Sequence, residues 1–117
     1  MLKGQLVLSG NYKEKAVTSV ETDNWSIGYV AGSIDFELYR RKMMPNDKNS
    51  VAIIKLVFND IMDASKLEKF LEIQLDPVVN SAMIEAGNDL SEFIESDGLI
   101  TPSSWNIHLR KHRPPNP

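Results

Sequence analysis

Val30-Ala31-Gly32-Ser33-Ile34-Asp35-Phe36-Glu37-Leu38 is the stretch on which the fold turns, because it satisfies two periods at once. With a repeat of two, Ile34, Phe36 and Leu38 share one face and Asp35 and Glu37 the other, as in a strand with an apolar and an acidic side. With a helical repeat, Ile27, Val30, Ala31, Ile34 and Leu38 fall on one stripe, so strand and helix both stay open between residues 25 and 43. The segments on either side set the expectation, and they favour strands.

Upstream, Leu2, Leu6 and Leu8 share a face opposite Lys3, Gln5 and Ser9, and Gly10-Asn11 supplies a turn signal. Residues 16–20 offer a β-branched run closed by Asp23-Asn24, and a strand ending near Tyr29 follows. Downstream, Pro45-Asn46-Asp47-Lys48-Asn49 reads as a turn into residues 51–58, which are apolar on both faces. That suits a central strand, with Ala52, Ile54, Leu56 and Phe58 toward one layer and Val51, Ile53 and Val57 toward the other. Trp105, Ile107 and Leu109 alternate with Asn106, His108 and Arg110 and suggest a closing strand.

Between these strands the period becomes helical. Ser65-Lys66-Leu67-Glu68 matches a capping box, with Leu67, Phe70 and Leu71 as its buried stripe. Asp76 can cap a second helix whose first position suits Pro77, since proline has no amide hydrogen to leave unpaired. Val79, Met83, Ala86, Leu90 and Ile94 would form the packing stripe, and Gly98 the stop. Gly87-Asn88, followed by a cap-like Asp89 and Glu92, leaves one helix or two open. The expected fold is therefore α+β: a mostly antiparallel sheet of about five strands, with one to three helices from residues 64–97 packed on one face. Residues 1–110 would form a single compact domain, and the basic, proline-rich residues 111–117 a mobile tail, because proline cannot extend a ladder.

Composition agrees with an ordinary globular chain: 117 residues, 42% hydrophobic and 25% charged. No apolar run is long enough for a membrane span, and residues 1–9 lack the pattern of a secretory signal, so a cytoplasmic setting is expected. The absence of cysteine excludes disulfides, thiolate zinc sites and thiol nucleophiles.

Charge is the feature that points to a job. Residues 60–97 hold ten carboxylates against Lys66 and Lys69, while the rest of the chain holds eleven bases against six acids. Glu85, Asp89, Glu92 and Glu95 recur at spacings of four and three, which places them on one helical face beside the apolar stripe. A face built only for solubility usually mixes signs, so this one is a candidate for docking on a cationic protein. Arg40-Arg41-Lys42 and residues 110–113 are basic clusters that could contact phosphates, or could pair with the acidic helix in a homo-oligomer. An isoelectric point near 5.3 and the lack of interleaved aromatic residues weigh against nucleic acid.

Other chemistry is weakly represented. Asp35 and Glu37 could serve acid–base work or binding if a pocket enclosed them. His108 and His112 lie four apart, yet Arg110, Lys111 and Arg113 would oppose a cation between them. Ser103 and Ser104 lack the strained glycine-flanked turn of a nucleophile elbow, and the glycines form no phosphate cradle. No catalytic constellation, cofactor site or metal site is expected.

Residues 30–37 also resemble the LAGLIDADG motif of homing endonucleases. The resemblance implies a helix whose small residues pack at a dimer axis and whose closing acid, here Glu37, binds metal in a nuclease. It departs from the motif where Leu38 replaces the closing glycine and Ser33 an apolar packing residue. The leading expectation is instead a non-catalytic protein-binding module, a small inhibitor or immunity-type protein that neutralises a basic toxin or enzyme through its acidic helix. Bacterial toxin-immunity proteins and phage-encoded inhibitors share this profile of size and charge, and complementary charge speeds encounter. The alternatives are a small nucleic-acid binder using the basic clusters and a small metal-dependent nuclease.

Overall fold

The computed structural model describes residues 24–44, 47–62 and 65–111, and for Arg110 and Lys111 the backbone only. Its regular elements are all helices: α1 (Asn24–Arg40), α2 (Lys48–Ile61), α3 (Ser65–Ile73), α4 (Pro77–Glu95) and α5 (Ser104–Lys111). The described residues contain no strand, so the expected α+β domain with a five-strand sheet is corrected to an all-α fold. The strands expected near residue 29 and at 34–38, 51–58 and 105–109 are helical. Those expected at 2–8 and 16–20, and the tail from residue 112, lie outside the described residues.

The correction has one physical cause: residues four apart share a face in both periods. Trp105 and Leu109 are buried on α5, at 0% and 6% exposure, but Ile107 between them is 57% exposed, where a strand would have buried all three. On α1, Ile34 and Leu38 are likewise buried while Phe36 is only half-buried. In α2 the run of residues 51–58 is apolar apart from Lys55, and so short a run does not distinguish the periods. The upstream Asp47 decides it: in extended backbone, its carboxylate accepts the Asn49 amide at 3.3 Å and caps the helix.

The core is built on α1 and α4. An added Cβ on Gly28 would stand 2.6 Å from the Val79 carbonyl oxygen, and one on Gly32 would stand 2.6 Å from the Met83 Cα. One turn along α1 thus corresponds to one turn along α4 in the same sense. The two helices run the same way where they touch, and the long connection that this requires is α2 and α3. Ile27, Val30, Ala31 and Ile34 pack with Ala82 and Ala86, and Phe58 and Ile61 of α2 close the cluster. Most of the stabilisation lies in this apolar burial.

Asp76 caps α4 through the Val78 amide at 2.8 Å with Pro77 at its first turn, and the helix runs unbroken through Gly87-Asn88. Both long core helices end in a Schellman arrangement. After α1, Met43 N–H bonds Leu38 O at 2.8 Å and Lys42 N–H bonds Tyr39 O at 3.0 Å; after α4, Gly98 N–H bonds Phe93 O at 2.8 Å and Asp97 N–H bonds Ile94 O at 3.1 Å. Lys42 (φ 58°) and Asp97 (φ 55°) take the left-handed position of these caps, and Gly98 after Asp97 is also at positive φ (84°). Among the described residues, no helix is long and apolar enough to cross a membrane.

Candidate functional site

The acidic helix divides into one interior carboxylate and a surface set. Asp89 is 9% exposed and joins three helices. Tyr29 Oη donates to its Oδ2 at 2.6 Å, and the Ser104 amide donates to the same oxygen at 3.0 Å. Ser104 Oγ lies 2.7 Å from Asp89 Oδ1 and 3.0 Å from Glu85 Oε1, so two carboxylates share its single proton. Asp89 therefore supplies, from α4, an acceptor for an otherwise unpaired first-turn amide of α5, where the helix dipole favours a negative charge. Asp89 thus stands in the interior, hydrogen-bonded to α1 and α5, while Glu85, Glu92 and Glu95 are exposed.

An aromatic stack beside it holds α5 against the start of α1. Trp25 stacks on His108 at 4.1 Å and on Tyr29 at 5.4 Å, and Trp105 lies 5.9 Å from Tyr29. Trp105 is fully buried, and its indole N–H donates to Ser26 Oγ at 2.9 Å. His108 belongs to this stack, and His112 lies outside the described residues.

Glu85, Glu92 and Glu95 remain exposed on α4, a helix with no lysine or arginine. Glu92 and Glu95 occupy its last turn, and Asp97 follows in the left-handed cap. Carboxylates there oppose the helix dipole, each at a cost of roughly 0.3–1 kcal/mol on an exposed surface. The described ion pairs do not involve them. Ile84 on the same face is 66% exposed, and Leu99 and Ile100 beyond the cap are 87% and 52% exposed, so the surface combines acid with apolar side chains.

The other candidates are dispersed. Glu37 accepts from Arg40 at 3.4 Å and from Arg41 at 3.3 Å, while Lys42 forms the α1 cap. The basic cluster at 40–42 thus spends part of its charge on its own helix. Asp35 is exposed one position away from the half-buried Phe36. Among the described residues no three histidine or carboxylate groups come together to hold a metal. Helical packing of small residues, which the LAGLIDADG-like stretch implies, does occur at Gly32, but against α4 of the same chain. Ser33, where the motif is apolar, returns its hydroxyl to the Tyr29 carbonyl at 2.9 Å. Ser104 is no better placed for nucleophilic attack, because its amide, a natural oxyanion donor, is committed to Asp89.

Sequence reasoning missed the surface of α2. With residues 51–58 assigned to a strand covered on both sides, no part of it was expected in solvent. In the structure only Phe58 of that run is buried; Leu56 is 69% exposed and Val51 37%. The usable signal was the stripe Lys48, Ala52, Lys55 and Asn59, at spacings of four, three and four after a capping aspartate, which marks a helix with one side in solvent.

The arrangement defines a class: an all-α domain with an interior carboxylate locking its last helix and an uncompensated acidic helix end at its surface. No family model, curated protein or solved structure matches the chain.

Proposed function

We propose that this chain is a non-catalytic protein-binding module, a cytoplasmic inhibitor or immunity-type protein that neutralises a basic toxin or enzyme through the outer face of α4. The observation that carries the reading is the exposed set Glu85, Glu92 and Glu95, flanked by Ile84 and lacking any base on its own helix. Of these, Glu92 and Glu95 oppose the helix dipole and pair with no described base, which weakens the fold, and a cationic partner would relieve them. Their like sign also raises the encounter rate with such a partner at low salt. Interleaved apolar side chains supply the water-excluding contacts that charge alone does not.

The test is affinity capture from the native host on the immobilised full chain, in parallel with Glu85→Lys, Glu92→Lys and Glu95→Lys combined. A basic protein held by the wild type, released by salt and lost from the charge-reversed chain of unchanged circular dichroism is the expected result. If every captured protein stays bound to the reversed chain, the acidic face is not the docking surface.

A further inference from the structure

We infer that the cleft between the second half of α1 and the middle of α4 is a binding site for a small amphipathic cation, a primary ammonium carried on an aromatic body. The cleft holds about 320 Å³, at the small end of the range for sites that take small molecules. Gly32 and Tyr39 mark its length along α1, and Met83 and Gly87 form its α4 wall. Met43 and Met44, which follow the α1 cap, line it as well.

Space, lining and charge each narrow the ligand. Gly87 sits mid-helix with no packing reason to be glycine: an added Cβ would meet nothing within 4 Å, and its φ is not positive. Glycine weakens a helix interior, and what it leaves here is room beside Met83. Three of the chain's five methionines line the cleft, and their unbranched, polarizable side chains suit an aromatic body. Among the described residues lining it, Asp35 alone is charged, and its exposed carboxylate makes no described hydrogen bond or ion pair. Half-buried Phe36 and the 83% exposed Tyr39 share that side of α1 with Asp35, and aromatic rings add to the attraction for a cation. The C-terminal turns of α1, to which Tyr39 belongs, carry the negative end of the helix dipole. Neighbouring bases do not fill the place: Glu37 holds Arg40 and Arg41, and Lys42 does not line the cleft. An anion would be repelled by Asp35, and a neutral molecule would draw nothing from it.

With about 3.6 residues per turn, Gly87 stands about 160° around α4 from Glu85 and about 140° from Glu92. The cleft is therefore separate from the acidic face, and this inference does not rest on the proposed function.

The test titrates phenethylamine, to about 10 mM, into the full chain carrying methyl-labelled methionine and follows the methyl resonances. A small, open site of this kind corresponds to a dissociation constant of about 0.1–1 mM. The Met43, Met44 and Met83 signals are expected to shift saturably, while that of Met62, in the core and outside the cleft lining, stays in place. Phenylethanol, which carries a hydroxyl in place of the ammonium, is expected to bind about fivefold more weakly. Asp35→Asn, at an exposed position, weakens phenethylamine about threefold, and Gly87→Leu, which fills the open space on α4, at least about tenfold, both with unchanged circular dichroism. N-acetyl-lysine amide, the same ammonium on a linear stem, is expected to bind about tenfold more weakly than phenethylamine. If it binds as tightly, the cleft takes a lysine side chain of a protein and the inference is overturned. It is overturned as well by the absence of a saturable shift, by equal affinity for amine and alcohol, or by wild-type affinity in either variant.

Discussion

At the scale of single residues, Asp89 carries the most consequence, because its two oxygens serve groups on two other helices. Removing its carboxylate strands the Tyr29 hydroxyl and the Ser104 amide against a partly buried gap, and an unsatisfied buried donor costs more than a hydrogen bond contributes. Asp89→Ala is expected to lower the unfolding free energy by about 2–3 kcal/mol in urea titration, with an unchanged slope. Tyr29→Phe, which removes a single donor and leaves the carboxylate served by Ser104, costs about 1 kcal/mol. The double variant should show coupling of at least roughly 0.5 kcal/mol. If Asp89→Ala unfolds at the wild-type midpoint, the carboxylate is not a tie between helices, and its place on the acidic binding surface must be reconsidered. Sequence reading placed Asp89 with Glu85, Glu92 and Glu95 because helical spacing assigns faces only approximately. What separates Asp89 from the others is the docking of α5, a contact between residues 15 apart that no local pattern encodes.

At the scale of elements, the contact between α1 and α4 rests on glycine, and two glycines of that region make opposite predictions. Gly32 stands where a Cβ would meet the Met83 backbone at 2.6 Å, so Gly32→Ala must force the helices apart. Gly87 has open space around its missing Cβ, within a helix that alanine favours. Gly32→Ala is expected to destabilise by about 2 kcal/mol through overpacking, and Gly87→Ala to stabilise by roughly 0.5–1 kcal/mol, both read from thermal midpoints. Equal effects of the two would contradict close backbone packing at Gly32. The same glycines show how far elements were legible. The start of α4 could be read because Asp76-Pro77 is a local device whose hydrogen bond is made within two residues. The identity of α1 could not be fixed, because Ile34 and Leu38 suit both periods and the deciding facts are the fit of Gly28 and Gly32 against another helix. For α5, Ile107 misled in the same way: its apolar character completed an alternation, although it is 57% exposed.

At the scale of the whole molecule, the division of charge sets stability against association. Glu92 and Glu95 lie three apart in the last turn of α4, where they repel each other and oppose the dipole, with Asp97 adding a third negative charge just beyond. A chain under selection for stability alone would favour lysine there, as α1 does in ending with Arg40 beside Glu37. Glu92→Lys combined with Glu95→Lys is therefore expected to raise stability by about 0.5–2 kcal/mol at low salt, a thermal shift of several degrees for a domain of this size. The gain should shrink as added salt screens exposed charge. If the proposed docking surface is correct, the same variant loses its cationic partner, so stability and binding move in opposite directions, as they do where a surface is kept for function at the expense of the fold. The measurement is paired: thermal unfolding at low and high ionic strength on the two chains, and capture of the basic partner on both. A variant that is more stable and binds as before would locate the partner elsewhere. A variant no more stable than the wild type would mean that the acidic helix end carries no strain for a partner to relieve, and the charge division would then lose its claim to describe a binding surface.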